Sequence, residues 1–259
     1  MTFPDSKRVI YQKNPLGTVI CQLRFPPVLR IDADVPADFQ DRIRHEYPLF
    51  EDRQPQDIVV PPQIAKALNM QVKLRGVKQG YQFSSNDNVW QVVVVRDFLA
   101  LTTTKYQRWE DFKRHLEGPL GALIDIYKPE FYSRIGLRYQ DVIKRSDLGL
   151  KEREWSELLQ PHITGELCSK IAPSIKEMRR ELLVALEGGT GYVRIHHGMI
   201  EATDSSEICY SIDADFYTDQ RTEVGNAIET LDRYNREAGR LFRWCITDLL
   251  HNALGPQPL

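Results

Sequence analysis

The chain has 259 residues, with 34 Lys+Arg against 36 Asp+Glu, a formal net charge of -2, 42% hydrophobic and 27% charged residues. These proportions exclude collagen-like, coiled-coil and wholly disordered chains. Near-neutral charge argues against a protein that coats DNA and leaves nucleic acid only a local basic groove.

The first predicted strand covers 18–25, with Val19, Cys21, Leu23 and Phe25 on one face and Ile20, Gln22 and Arg24 on the other. Pro26-Pro27 ends its ladder, because proline has no N–H to donate. Asp34-Val35-Pro36 opens a predicted helix to about Tyr47, with Phe39, Ile43 and Tyr47 as its buried stripe. The polar, proline-containing stretch 51–62 reads as a surface loop. A three-stranded meander follows over 81–85, 89–95 and 98–105, turning at Asn86-Asp87-Asn88 and at Arg96-Asp97. Trp109, Phe112, Leu116, Leu120, Leu123 and Tyr127 then follow helical spacing, with a kink or break expected at Gly118-Pro119.

The second half opens with a strand over 131–144, whose inner face is Ser133, Ile135, Leu137 and Tyr139. A helical stretch over 152–171 is expected next, then strands over 178–187, 192–197 and 208–217. Gly188-Gly189-Thr190-Gly191 lies between two of these strands and suits a hairpin turn, since glycine readily takes positive φ. A long helical pattern runs over 222–254, weakest at Gly239 and stopped by Gly255-Pro256.

The two halves read alike. Gln22-Leu23-Arg24-Phe25 matches Gly136-Leu137-Arg138-Tyr139, and Val28-Leu29-Arg30 matches Val142-Ile143-Lys144 without a gap. The order strand, helix, meander, long helix also repeats. The fold class is therefore α+β: antiparallel sheets packed with long helices, in a pseudo-two-fold duplication of that unit. The halves are 1–128 and 129–259, as two domains or one compact domain. If their sheets join, Gln22 and Arg24 share a polar groove with Arg134, Arg138 and Gln140.

No apolar run approaches the ~18–20 residues that span a bilayer. The start, Met1-Thr2-Phe3-Pro4-Asp5-Ser6, lacks the apolar core of a signal peptide, so cytoplasmic residence without a membrane is expected. Cys21, Cys168, Cys209 and Cys245 are too scattered for a zinc ribbon or a redox pair and read as small buried hydrophobes.

Asn14-Pro15-Leu16, the run Val19-Ile20-Cys21-Gln22-Leu23-Arg24-Phe25-Pro26-Pro27, Tyr47-Pro48-Leu49, Arg134-Ile135-Gly136-Leu137-Arg138-Tyr139 and Gly239-Arg240-Leu241-Phe242-Arg243-Trp244-Cys245-Ile246-Thr247 together resemble a sporadically distributed family of uncharacterised prokaryotic proteins. The resemblance spans nearly the whole chain. It implies no established activity and transfers no catalytic residue. The family's patchy occurrence hints at defence or toxin–antitoxin loci.

The phosphate-loop, dinucleotide, His-Glu-x-x-His and Gly-x-Ser-x-Gly signatures are absent from the sequence. Asp213 and Asp215 leave one face of a strand, with Asp219 in the connection beyond. They suit either Mg²⁺, which takes oxygen ligands, or ion pairs with Arg194 and His196 on a neighbouring strand. His196 and His197 point to opposite faces and cannot share a metal. Trp90, Trp109, Trp155 and Trp244 occupy apolar periodic positions and read as core. Arg24, Arg134 and Arg138, joined by Arg194 and His196, are the ligand-binding candidates, because paired guanidinium donors suit phosphate or carboxylate. Salt bridges from these arginines to Asp213 and Asp215 are the competing reading.

The expectation is a non-catalytic binding or interaction protein, with a protein partner or a small anionic ligand and no cofactor. The alternative is a metal-dependent phosphohydrolase or nucleotide-processing enzyme with Mg²⁺ on Asp213 and Asp215.

Overall fold

The computed structural model describes residues 1–53, 80–202 and 205–258, the side chains of residues 52 and 53 excepted. The first half contains β1 (Val9–Tyr11), β2 (Leu16–Arg24), α1 (Arg30–Ala33), α2 (Ala37–Ile43), β3 (Leu49–Arg53), β4 (Gly80–Ser84), β5 (Trp90–Val95), β6 (Phe98–Thr103) and α3 (Trp109–Ala122). The second contains β7 (Phe131–Tyr132), β8 (Arg134–Ile143), α4 (Trp155–Leu158), α5 (Pro161–Thr164), β9 (Arg179–Ala185), β10 (Tyr192–Glu201), β11 (Ile208–Thr218), β12 (Thr222–Glu223), α6 (Ala227–Cys245), α7 (Asp248–Ala253) and β13 (Pro256–Pro258).

Nine of these strands form one antiparallel sheet in the order β3-β4-β5-β6-β2-β8-β11-β10-β9. The halves join through β2 and β8, where Cys21 pairs with Leu137, Gln22 with Gly136 and Leu23 with Ile135. The sheet therefore runs uninterrupted across the expected 128/129 boundary. β1 adds a second link by pairing with β13, which ties the first residues to the last.

Strand alternation decides which face is covered. Val19, Cys21 and Leu23 of β2, Ile135, Leu137 and Tyr139 of β8, and Ile212, Ala214 and Phe216 of β11 are buried on the helix side. On α6, Leu231, Tyr234, Leu241, Phe242 and Cys245 recur at helical spacing and are buried where that helix packs on β8 and β11. Over the first half, α2 and α3 pack together; Phe39 meets Phe83 at 5.6 Å and Phe112 meets Trp90 at 5.6 Å.

Several expected elements are reshaped. The stretch expected as one helix over 152–171 is a chain of short turns, because Pro161 restarts the helix and Gly165 at φ +48° leaves the right-handed region. The pattern over 222–254 is broken at Ile246, which is extended and bridges Leu159. The Thr247 side chain then accepts the Leu250 N–H and caps α7. Gly239 does not interrupt α6.

Pro119 lies inside α3 without breaking it, and the helix widens into a π turn over Leu123–Tyr127 before Lys128 at φ +47°. The helix expected over 34–47 is only α2, with α1 before it. Of the loop expected over 51–62, residues 51–53 close β3 and the rest lies outside the described residues. Ser133 is exposed, because the chain interrupts its ladder between β7 and β8 there. Cys168 is exposed, whereas Cys21, Cys209 and Cys245 are buried.

The Gly188–Gly191 segment does form the β9–β10 hairpin turn. Gly191 has φ +128°, and a Cβ there would stand 2.2 Å from the Tyr217 carbonyl oxygen. No helix among the described residues is long and apolar enough to cross a membrane.

Candidate functional site

The face of the sheet turned away from α6 carries a polar row across its central strands. Odd and even positions separate cleanly: β8 sends Leu137 and Tyr139 under the helices and Arg134, Arg138 and Gln140 to the opposite side. The register sets Arg138 beside Asp215, Asp215 beside Arg194, and Asp213 beside His196. All five predicted binding residues, Arg24, Arg134, Arg138, Arg194 and His196, line one cavity of 220 Å³, together with Gln22, Asp215 and Tyr217.

Arg138 is the buried centre. It reaches diagonally to Asp213, with Nε donating to Oδ1 at 2.6 Å and Nη2 donating to Oδ2; the two side chains are 6% and 4% exposed. Its third nitrogen, Nη1, is buried with no hydrogen-bond partner among the described residues.

Arg134 lies across the neighbouring strands. Nη2 donates to Asp215 Oδ2 at 2.8 Å, Nη1 donates to Gln22 Oε1 at 3.1 Å, and the guanidinium sits 5.0 Å from the Tyr217 ring centroid. Gly136 makes this pose available, since a Cβ there would stand 2.3 Å from Arg134 Nη1.

Arg24 differs from both. Phe98 stands opposite it across β2 and β6, where Asp215 stands opposite Arg138. The Arg24 guanidinium lies 5.8 Å from the Phe98 ring centroid, its Nε is buried without a partner, and it has no carboxylate partner among the described residues.

Arg194 and His196 pair with Glu181 on β9 instead of with the aspartates beside them. Arg194 Nη1 donates to Glu181 Oε1, and His196 Nε2 lies 3.4 Å from Oε2. The Arg194 hydrogen bond, aided by His196, holds the Glu181 carboxyl below the ordinary carboxylate range. Burial pushes the Asp215 carboxyl up from its ordinary value, against the opposing pull of Arg134 and Arg138.

Four guanidiniums thus face three carboxylates, Asp213, Asp215 and Glu181. Among the described residues one positive charge is uncompensated and two buried N–H donors are unused. This combination suits an oxyanion.

The aspartates suit a cation less well. Asp213 accepts two guanidinium hydrogen bonds and Asp215 accepts one, and no group of three or more His, Cys, Asp or Glu is set to hold a metal among the described residues.

Sequence reasoning placed Gln22 and Arg24 on one polar strand face and Arg134 and Arg138 on another, to share a groove if the sheets join, and the β2–β8 pairing joins them. It passed over Tyr217, which follows Asp215 by two positions and so shares its face, and Glu181, whose alignment with His196 depends on a register that periodicity does not reveal. Comparison with protein-family models and with curated proteins finds no match to this chain.

Proposed function

We propose that this protein is a binding protein whose ligand presents a small oxyanion, a phosphate or a carboxylate, to the arginine cavity on the open face of the sheet. The observation that carries this reading is the pair of buried, unpartnered donors, Arg24 Nε and Arg138 Nη1, on two residues lining the same cavity. A buried N–H left unmade is costly, and an incoming oxyanion relieves that cost while meeting the surplus positive charge.

The same positions support a duplicated origin for the two halves. From the joining strands outward, β2-β6-β5-β4 runs parallel in order to β8-β11-β10-β9. Gln22 and Gly136, which head the matched sequence runs, face each other at the middle of the β2–β8 pair. A two-fold axis through that pair relates Arg24 to Arg138, the two arginines with unused donors. Binding then occupies the seam between repeats, with the second half supplying Asp213 and Asp215 where the first supplies none.

Isothermal titration of the full chain with inorganic phosphate, sulfate and acetate at low ionic strength tests the reading. Saturable 1:1 binding that weakens about ten- to a hundredfold in Arg24→Gln is expected, the loss of one charge-assisted hydrogen bond. Equal affinity of Arg24→Gln and the unaltered chain, or no binding of any of the three anions, would overturn it.

A further inference from the structure

A second cavity, of 310 Å³, lies on the opposite face of the sheet beside α6, lined by Tyr139 and Asp141 of β8 and by Tyr11, Tyr106 and Phe242. Its volume sits at the lower end of the range for small-molecule sites, roughly 300–1,000 Å³. Asp141 is 7% exposed, and its carboxyl makes no hydrogen bond or ion pair with any described residue. Such a group is costly unless a partner arrives. Burial, with Asp213 as a lesser cause, pushes this carboxyl well above its ordinary range.

The basic side chains around the opening do not relieve it. Arg8 is held by Glu110, Arg108 by Asp111, Arg240 by Asp5 and Arg243 by Asp248, and Lys7 and Arg236, which also line the cavity, are exposed to solvent. The Tyr106 and Tyr139 hydroxyls are also engaged, both donating to Asn235 Oδ1 at 3.3 and 3.0 Å. The unmet polar demand of this cavity is therefore for a hydrogen-bond donor with positive charge.

We propose that this cavity binds a small primary amine, with its ammonium group on the Asp141 carboxyl and its apolar tail among Tyr11, Tyr106 and Phe242. An ammonium offers three donors and one compact charge to the carboxyl, and the aromatic rings offer apolar surface to the tail. This site is separate from the arginine cavity and takes ligands of the opposite charge.

The test is calorimetric titration of the full chain with 2-phenylethylamine and with 2-phenylethanol, its neutral counterpart. The amine is expected to bind at least about tenfold more tightly than the alcohol, as a charge-assisted hydrogen bond contributes. In Asp141→Asn the amine is expected to fall to the affinity of the alcohol, while the melting temperature stays level or rises because a buried acid has been removed. Equal binding of amine and alcohol to the unaltered chain, binding of neither, or undiminished amine binding in a folded Asp141→Asn would each overturn the proposal. The comparison on the unaltered chain needs no variant and stands even if Asp141→Asn fails to fold.

Discussion

Arg138 holds Asp213 through two guanidinium hydrogen bonds inside the sheet's open face, while its remaining nitrogen, Nη1, is buried and unpaired among the described residues. The same side chain thus anchors β8 to β11 and keeps one buried donor unused. Structural and binding readings of this arginine are usually opposed; here the third nitrogen separates them.

The anchoring half of that statement predicts strong coupling. Asp213→Leu leaves a buried guanidinium without its partner and is expected to cost about 3–5 kcal/mol in urea unfolding. Adding Arg138→Met removes the orphaned charge and should recover most of the loss. A double variant as unstable as the sum of the two singles would show that the residues do not act as a pair.

Gly136 offers a way to disturb the site without disturbing the fold. An alanine Cβ would stand 2.3 Å from Arg134 Nη1, the mobile end of a long side chain, and the guanidinium must swing away from Gln22 and Asp215. Gly136→Ala is expected to change stability by less than about 1 kcal/mol, while phosphate affinity shifts several-fold. Unchanged phosphate affinity would separate Arg134 from the binding site.

His197 gives the sheet a pH dependence. It is buried on the helix side, with Nδ1 2.8 Å from the Tyr210 hydroxyl, and desolvation, followed by Arg180 and His162, pushes its pKa down to about 4. Below its ordinary value of about 6.5 the unfolded chain takes up a proton that the folded chain refuses. Stability from this residue is therefore full above that value and is lost as pH falls toward 4, by roughly 3 kcal/mol in all. Denaturant titrations between these limits should show a smaller slope in His197→Gln; an identical slope would place the dependence elsewhere.

The α6 stripe is tested by charge. Leu241 and Phe242 are both buried, and aspartate at either position should destabilise by several kcal/mol, about the cost of losing a large apolar side chain and burying a carboxylate. Thermal unfolding unaltered in both variants would mean that α6 does not cover the sheet.

Which parts were legible follows from what periodicity encodes. Alternation along Val19–Phe25 and Ile135–Tyr139 separated core from polar face on each strand, which put Arg24 on the polar face of one and Arg134 and Arg138 on the polar face of the other. It carried no information on pairing between distant strands. The β2–β8 junction and the meeting of Glu181 with His196 emerge only from the register. Helical spacing also ran past Ile246, whose apolar side chain suits the periodic pattern while its backbone is extended. Asp141 was hidden for the opposite reason. One carboxylate on an otherwise apolar strand face looks like noise until the cavity beneath it is visible.

Asp215 distinguishes anion binding from metal-assisted turnover most sharply. It lines the arginine cavity and competes with any incoming anion for Arg134, and its carboxyl is pushed up by burial. Asp215→Asn removes that competing negative charge while keeping an acceptor in place. The binding reading therefore expects phosphate affinity to rise several-fold, with stability changed by less than about 1 kcal/mol because the carboxylate was already disfavoured. The metal reading expects the reverse, since losing one of two oxygen ligands weakens Mg²⁺ and abolishes Mg²⁺-dependent phosphate release from nucleotides. Phosphate titration and a phosphate-release assay on the unaltered chain, Asp213→Asn and Asp215→Asn decide between them. Tighter phosphate binding in Asp215→Asn, with no Mg²⁺-dependent release from any of the three proteins, is the expected pattern. Release that disappears in both variants would assign Asp213 and Asp215 to a metal and displace the arginine-centred reading.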